Sequence, residues 1–179
     1  LRAVIIADGP NTTDADAISY RQQFGSARVY LVEPQVVIWD TQNNGEVVDP
    51  VSARVAGIIA KSDAERGFWW SPSNRPIYGI IATHRPVGYI MGDPNSSANV
   101  LNENEVATII RADGFRLWGD RSCSNDPKWA FLSVRRTADM INESLQRAHL
   151  WAVDRNITKT YLEDVLEGVN AYLRDLKAR

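Results

Sequence analysis

Two short apolar runs near the start of the chain constrain its fold more than any other feature. Residues 3–7 and Val29–Val32 are continuous apolar segments rich in β-branched side chains, a pattern typical of strands buried on both faces of a parallel sheet. Between them, the turn sequence Asp8-Gly9-Pro10-Asn11 leads to Thr13 or Asp14, which can cap a helix running to about Phe24. Strand, helix and strand in this order predict two parallel strands joined by a right-handed crossover.

The middle of the chain adds further strands and one clear helix. Asp49-Pro50 predicts a helix start, because a capping acid is followed by Pro at the first helical position, and Gly67 predicts its end. Residues 83–99 contain two Pro and two Gly and predict a loop. Four segments predict strands, the last two forming a hairpin: residues 36–39, 77–81, 106–111 and 115–119.

The last third of the chain carries two helical stripes of apolar residues. Thr160 and Glu163 fit a capping box at the start of the second stripe. The stripes are Val134, Ala138, Ile141, Leu145, Ala148 and Ala152, and then Leu162, Val165, Leu166, Val169, Leu173 and Leu176. We therefore predict an α/β fold: a layered sheet with parallel strands and flanking helices, one added hairpin and a helical C-terminal third, all in a single domain over residues 1–179.

Composition excludes several classes of function. A chain of 179 residues with a net charge of −2 lacks the strong positive balance of a nucleic-acid binder. A single cysteine, Cys123, cannot form an internal disulfide. The longest apolar runs are far shorter than the roughly 18 residues that a membrane span needs. Neither nucleic acid nor membrane insertion is therefore predicted.

The sequence also lacks the common motifs of catalysis and cofactor binding. It contains no phosphate-binding glycine motif and no nucleophile elbow. His84 and His149 have no partner at metal-ligand spacing. Cys123 is interpreted as a partly buried small side chain, and His149 as a packed or capping one. No catalytic residue, cofactor or metal is predicted.

Two features leave other functions open. The 8–11 loop lies after a strand and before a helix, where α/β sheets bind ligands, so a small ligand-binding or enzymatic domain is an alternative. A plain turn is favoured, because Pro10 removes a donor and Asp8 would repel phosphate. Trp69 and Trp70 could form a carbohydrate platform or a protein interface, but we assign both to the core.

Three blocks of the sequence resemble the contractile tail sheath proteins of myophages and phage-tail-like bacteriocins. The first is Gly67-Phe68-Trp69-Trp70-Ser71-Pro72-Ser73-Asn74. The second runs through residues 101–106, 109–111, 113–119 and 121–124, and the third through residues 134–141 and 148–154. The blocks occur in the family's order with similar spacing, and the resemblance covers most of the chain.

This resemblance implies a structural protein without enzymatic activity or cofactor. Sheath subunits assemble around an inner tube and contract to drive it through a target cell envelope. The implied partners are other copies of the subunit, the inner tail tube protein, and the baseplate and tail terminator proteins. The implied location is the virion tail, after assembly in the bacterial host cytoplasm.

One departure from the family affects what we expect of this chain. Complete sheath proteins carry further portions on both sides of the matched region, and their terminal extensions add strands to neighbouring subunits. This chain, which starts at Leu1 rather than Met, is expected to be a central fragment lacking both terminal portions. Because it lacks those linking extensions, we expect it to be monomeric or weakly associated in solution. Four basic residues are candidates for contacts between subunits: Arg135, Arg136, Arg174 and Lys177.

Overall fold

A computed structural model describes residues 2–178 of the chain, which divides into two compact units, Leu1–Thr137 and Ala138–Arg179. The elements, in chain order, are β1 (Ile5–Asp8), α1 (Asp14–Arg21), β2 (Val29–Val32), β3 (Val36–Asp40), β4 (Gly45–Asp49), α2 (Ser52–Arg66), β5 (Ala82–Thr83), α3 (Ser97–Glu103), β6 (Val106–Arg111), β7 (Phe115–Trp118), α4 (Leu132–Ala148) and α5 (Lys159–Ala178). Helix α4 begins in the first unit and ends in the second.

A four-stranded sheet in the order β1-β2-β6-β7 forms the centre of the first unit. Strand β2 runs parallel to both β1 and β6, while β6 and β7 form an antiparallel hairpin. The predicted parallel strands, flanking helices, added hairpin and helical C-terminal third are therefore confirmed. The right-handed twist of such a sheet suits helices on both of its faces.

Alternate residues of β2 divide the core into two clusters, one on each face of the sheet. Tyr30 and Val32 pack with Val55 of α2, while Val29 and Leu31 pack with Ala17 of α1. All four residues of β2 are buried, as the continuous apolar run predicts. The prediction is wrong for β1, because this strand lies at the sheet edge and Ile5 is 60% exposed.

A second, antiparallel sheet in the order β4-β3-β5 changes the predicted start of α2. Asp49 is the last residue of β4 rather than a helix cap, and the N-cap position is held by Val51, whose side chain makes no capping bond. Instead, the Asp8 carboxylate accepts a hydrogen bond from the Ser52 amide at 2.9 Å. The cap is supplied by a strand distant in sequence, so local patterns could not indicate it.

Three further local predictions are wrong. Residues 77–81 do not form a strand; an isolated bridge at Pro76 and the short β5 take its place. Helix α3 begins at Ser97, inside the predicted 83–99 loop, and continues beyond it to Glu103. The apolar stripe predicts a helix that continues to Ala152, but α4 ends at Ala148 and a 3-10 turn follows at Leu150–Ala152.

The start of α5 also differs from its sequence prediction. The Thr158 hydroxyl accepts a hydrogen bond from the Tyr161 amide at 3.2 Å, so Thr158 caps the helix. Thr160 lies inside the helix and cannot serve in a capping box with Glu163. Among residues 2–178, no helix combines the length and the apolar character that crossing a membrane would require.

Candidate interaction surfaces

The 8–11 loop is filled by side chains of the chain itself. The Glu33 carboxylate lies directly over Gly9, where a Cβ atom would come within 2.1 Å of Glu33 Oε2. The Asn11 amide nitrogen is 3.1 Å from Gln35 Oε1 and 2.7 Å from His84 Nδ1. The space in which a ligand of the loop would sit is therefore occupied by Glu33.

Glu33 is held by Arg85, and sequence reasoning missed both residues. Arg85 Nε donates to Glu33 Oε1 at 3.0 Å, and its guanidinium also pairs with Asp14 at the start of α1. Burial raises the pKa of Glu33, while the Arg85 hydrogen bond and charge oppose that rise. This ion-paired cluster joins β2, α1 and the segment after β5. Its only sequence signal is an acid directly after a fully buried strand.

The aromatic motif Phe68-Trp69-Trp70 is a partly exposed surface feature rather than core. Trp69 and Trp70 are 40% and 48% exposed, which corrects their assignment to the core. Trp69 packs edge-on against Phe68 at 5.0 Å, and the Arg66 guanidinium lies 4.8 Å from the Trp70 ring. Gly67 ends α2 with a φ of 101°, and this left-handed conformation turns the chain just before the motif begins.

The residues after the aromatic motif attach it to the edge of β7. The Ser73 hydroxyl accepts a hydrogen bond from the Gly119 amide at 3.0 Å, and the Asn74 amide donates to the Leu117 carbonyl at 2.6 Å. Without these bonds, the Gly119 amide and the Leu117 carbonyl would need water molecules as their hydrogen-bond partners. The motif therefore has a structural role in the first unit.

Arg135 and Arg136, both predicted contact residues, are engaged within the chain. The Arg136 guanidinium forms a two-pronged ion pair with Asp63 of α2, one contact measuring 3.0 Å. The Arg135 guanidinium lies 4.0 Å from the Trp129 ring centre. Beside them, Asp120 binds the Ser133 hydroxyl at 2.6 Å, and burial raises the pKa of this carboxyl. Together these contacts anchor the first turns of α4.

Arg174 and Lys177 are placed differently. Both are exposed in the last turns of α5, in the second unit. Positive charge near the C-terminus of a helix is favourable there, because the last carbonyls carry partial negative charge. The same helix exposes apolar side chains, namely Leu162, Leu166 and Leu173. Its surface thus combines free apolar area with charge, a composition suited to protein contacts.

The remaining reactive side chains show no arranged site. Cys123 is fully buried, and burial raises the pKa of its thiol, so the reactive thiolate is disfavoured. His149 Nδ1 lies 2.7 Å from the Leu145 carbonyl, as expected of a capping side chain. Within residues 2–178, no three His, Cys, Asp or Glu side chains are grouped as metal ligands.

Comparison with known protein families identifies the family of this chain. Residues 1–123 match the model of the phage tail sheath protein central domain, and residues 124–179 match that of the phage tail sheath C-terminal domain. The chain belongs to the phage tail sheath family. The resemblance seen in the sequence blocks is thereby confirmed.

Individual sheath proteins are similar over nearly the whole chain. A putative prophage major tail sheath protein of Pseudomonas aeruginosa (strain UCBPP-PA14) is 52% identical over 177 residues, covering 99% of this chain and 46% of the relative. The tail sheath protein of Escherichia phage P2 is 36% identical over 165 residues, covering 92% of the chain and 42% of that protein. The chain thus spans less than half the length of these curated relatives.

A solved sheath shares the same fold. The helical sheath of the anti-feeding prophage in its contracted state superposes with a TM-score of 0.79 at 25% identity, covering 98% of this chain and 46% of that one. The family to which the chain belongs is therefore that of a structural tail sheath protein.

Proposed function

We propose that this chain is part of a structural subunit of a contractile tail sheath. In this role it assembles with other copies around an inner tail tube and contracts to drive the tube through a target cell envelope. The main supporting observation is the 52% identity to a putative prophage major tail sheath protein over 99% of the chain. The shared fold with a contracted sheath supports it.

The partners and location follow from the same role. We propose contacts with the inner tail tube, the baseplate and the tail terminator, in a virion or phage-like tail assembled in the host cytoplasm. No catalytic step is required, since the function is mechanical. The 179-residue chain by itself is proposed to be monomeric, because it covers under half of a sheath subunit.

A chimera tests the function directly. Residues 1–179 would replace the matched region of the P. aeruginosa relative, and electron microscopy would follow assembly. We expect hollow tubes or contracted sheaths like those of the unmodified relative. A folded, soluble chimera that forms no sheath, while the relative does, would contradict the proposal.

The four candidate basic residues divide within this proposal. Arg174 and Lys177 are available for contacts between subunits or with the tube, while Arg135 and Arg136 hold α4 to its own unit. In the chimera, Arg174→Ala with Lys177→Ala is expected to reduce sheath assembly without unfolding the protein. Lys159→Ala, which removes an exposed charge elsewhere on α5, is the matched control.

The ligand-binding alternative has a separate test. Glu33 fills the space above the 8–11 loop, which weighs against a nucleotide there. The melting temperature of the chain is expected to be the same with and without nucleotides or sugars. A ligand-dependent rise in melting temperature would favour the alternative.

A further inference from the structure

Strand β1 has the sequence of a central strand but the position of an edge strand. Its run of apolar residues is typical of a strand covered on both faces, as β2 is. Within residues 2–178, its only hydrogen-bonded neighbour is β2, and Ile5 remains 60% exposed. Apart from Asp8 at its end, whose carboxylate accepts a hydrogen bond from the Ser52 amide, the strand carries no charge, proline or bulge of the kind that protects a natural edge.

The outer edge of β1 offers unpaired backbone groups at defined positions. The Ile5 amide donates to the Arg28 carbonyl at 2.7 Å and the Gly9 amide donates to the Val32 carbonyl at 2.9 Å, so the odd-numbered residues face β2. Because successive backbone amides alternate in direction along a strand, the amides of Val4, Ile6 and Asp8 face away from β2. They form the hydrogen-bonding edge that an additional strand requires.

An apolar groove of about 260 Å³ lies beside this edge, entirely within the first unit. On its helical side, Ala56 and Ala60 are small and exposed, which leaves room for side chains from another segment. The Arg136–Asp63 ion pair borders the groove. Its apolar lining consists of Val4, Ile6, Ala56, Ile59, Ala60 and Leu132.

We propose that the outer edge of β1 and this groove dock an extended apolar strand from the remaining part of the same sheath subunit. The proposal rests on the proposed function, which supplies that remaining part. More than half of the length of each curated relative lies outside the matched region, so a sheath subunit has ample chain to provide the strand. Pairing satisfies the outward amides and covers Ile5 in one step.

Residue-resolved hydrogen–deuterium exchange tests the proposal. The 179-residue chain would be compared with the unassembled chimera described above, which carries the rest of a sheath subunit. We expect the outward amides of Ile6 and Asp8 to exchange at least tenfold more slowly in the chimera. The Ile5 and Ala7 amides, paired with β2, serve as internal controls and should be slow in both.

A pair of variants ties the protection to the groove. Ala56→Arg fills the groove, and Ala64→Arg places the same side chain at an exposed α2 position that does not line it. In the chimera, the first variant should restore fast exchange at Ile6 and Asp8, and the second should not. Thermal melts of the isolated chain check that both variants fold.

Two results would overturn the inference. Equally fast exchange of the outward amides in the chain and the chimera would mean that no strand is added by the same subunit. Protection that appears in the isolated chain as its concentration rises would identify a second copy as the occupant. Sheath formation by the chimera is read separately in the microscope, so either hypothesis can fail while the other stands.

Discussion

Among single residues, Gly57 inside α2 and Gly67 at the end of this helix have opposite roles. Gly67 has a φ of 101° and a ψ of 155°, a backbone region that is almost restricted to glycine, and a Cβ there would come within 2.6 Å of the Trp69 ring. Gly57 lies inside the helix, and its added Cβ would meet nothing within 4 Å. One glycine is required by the chain reversal, while the other only weakens the helix.

Alanine substitutions should separate the two glycines. Gly67→Ala is expected to lower the free energy of unfolding by about 1–3 kcal/mol, because the backbone strain is retained. Gly57→Ala is expected to raise it by about 0.5–1 kcal/mol, through helix propensity. Urea unfolding measures both. Equal effects of the two substitutions would contradict the assigned conformations.

The buried carboxyl of Glu33 should make stability depend on pH. Its pKa is raised above the ordinary 4.5 by burial, so protonated Glu33 favours the folded state. This contribution is fully present below pH 4.5 and is lost as the pH rises through the raised folded pKa. Glu33→Gln, which resembles the protonated form, should therefore gain stability relative to the native chain across that window.

The measurement is urea unfolding of both chains over a pH series. Shifts from other titrating groups cancel in the difference between native chain and variant. A difference that does not change with pH would show that the pKa of Glu33 is not raised in the folded state.

At the scale of elements, α2 shows how a helix start can depend on a distant strand. Asp8, at the end of β1, supplies the hydrogen-bond acceptor that Val51 lacks. Local patterns give the existence of α2 and its end at Gly67. They cannot give its first residue, because that is decided by packing of β1 beside the helix.

Removal of this cap provides a test for α2. Asp8→Ala should lower the free energy of unfolding by about 1 kcal/mol, while Asp8→Asn, which keeps an acceptor oxygen, should lower it much less. Thermal unfolding of both variants measures the effect. Equal losses in the two variants would show that the Asp8 carboxylate does not cap the helix.

The difference between local sequence patterns and contacts with distant elements also explains which elements could be predicted from the sequence. The parallel pair β1 and β2, the β6–β7 hairpin and the C-terminal helices follow from periodicity, and they form. Strand β4 and helix α3 were missed, because their short segments carry polar residues and depend on neighbours from elsewhere in the chain. The Glu33–Arg85 pair was missed for a similar reason, since its partners are 52 residues apart.

For the whole molecule, charges that maintain the fold are distinct from charges available for contact. The Arg136–Asp63 pair links α4 to α2, with side chains only 21% and 27% exposed. Arg174 is exposed on α5. The four basic candidates thus fall into two groups that sequence alone could not distinguish, because an arginine's partner depends on tertiary packing.

Stability measurements can separate these groups. Arg136→Ala should lower the free energy of unfolding by about 1–2 kcal/mol, because it leaves Asp63 without its ion pair. Arg174→Ala should change it by less than about 0.5 kcal/mol. Urea unfolding of each variant gives the values. A larger loss for Arg174→Ala would place that residue among the folding contacts.

The close approach of Glu33 to Gly9 also constrains how this protein can change over evolutionary time. Any side chain at position 9 would collide with the carboxylate above it, so neither position can vary independently. Sheath proteins with a larger residue at the position of Gly9 should have a shorter one at the position of Glu33. A lineage that gains a larger residue at position 9 would first need a small residue at position 33. A lineage that gains Glu at position 33 would first need glycine at position 9.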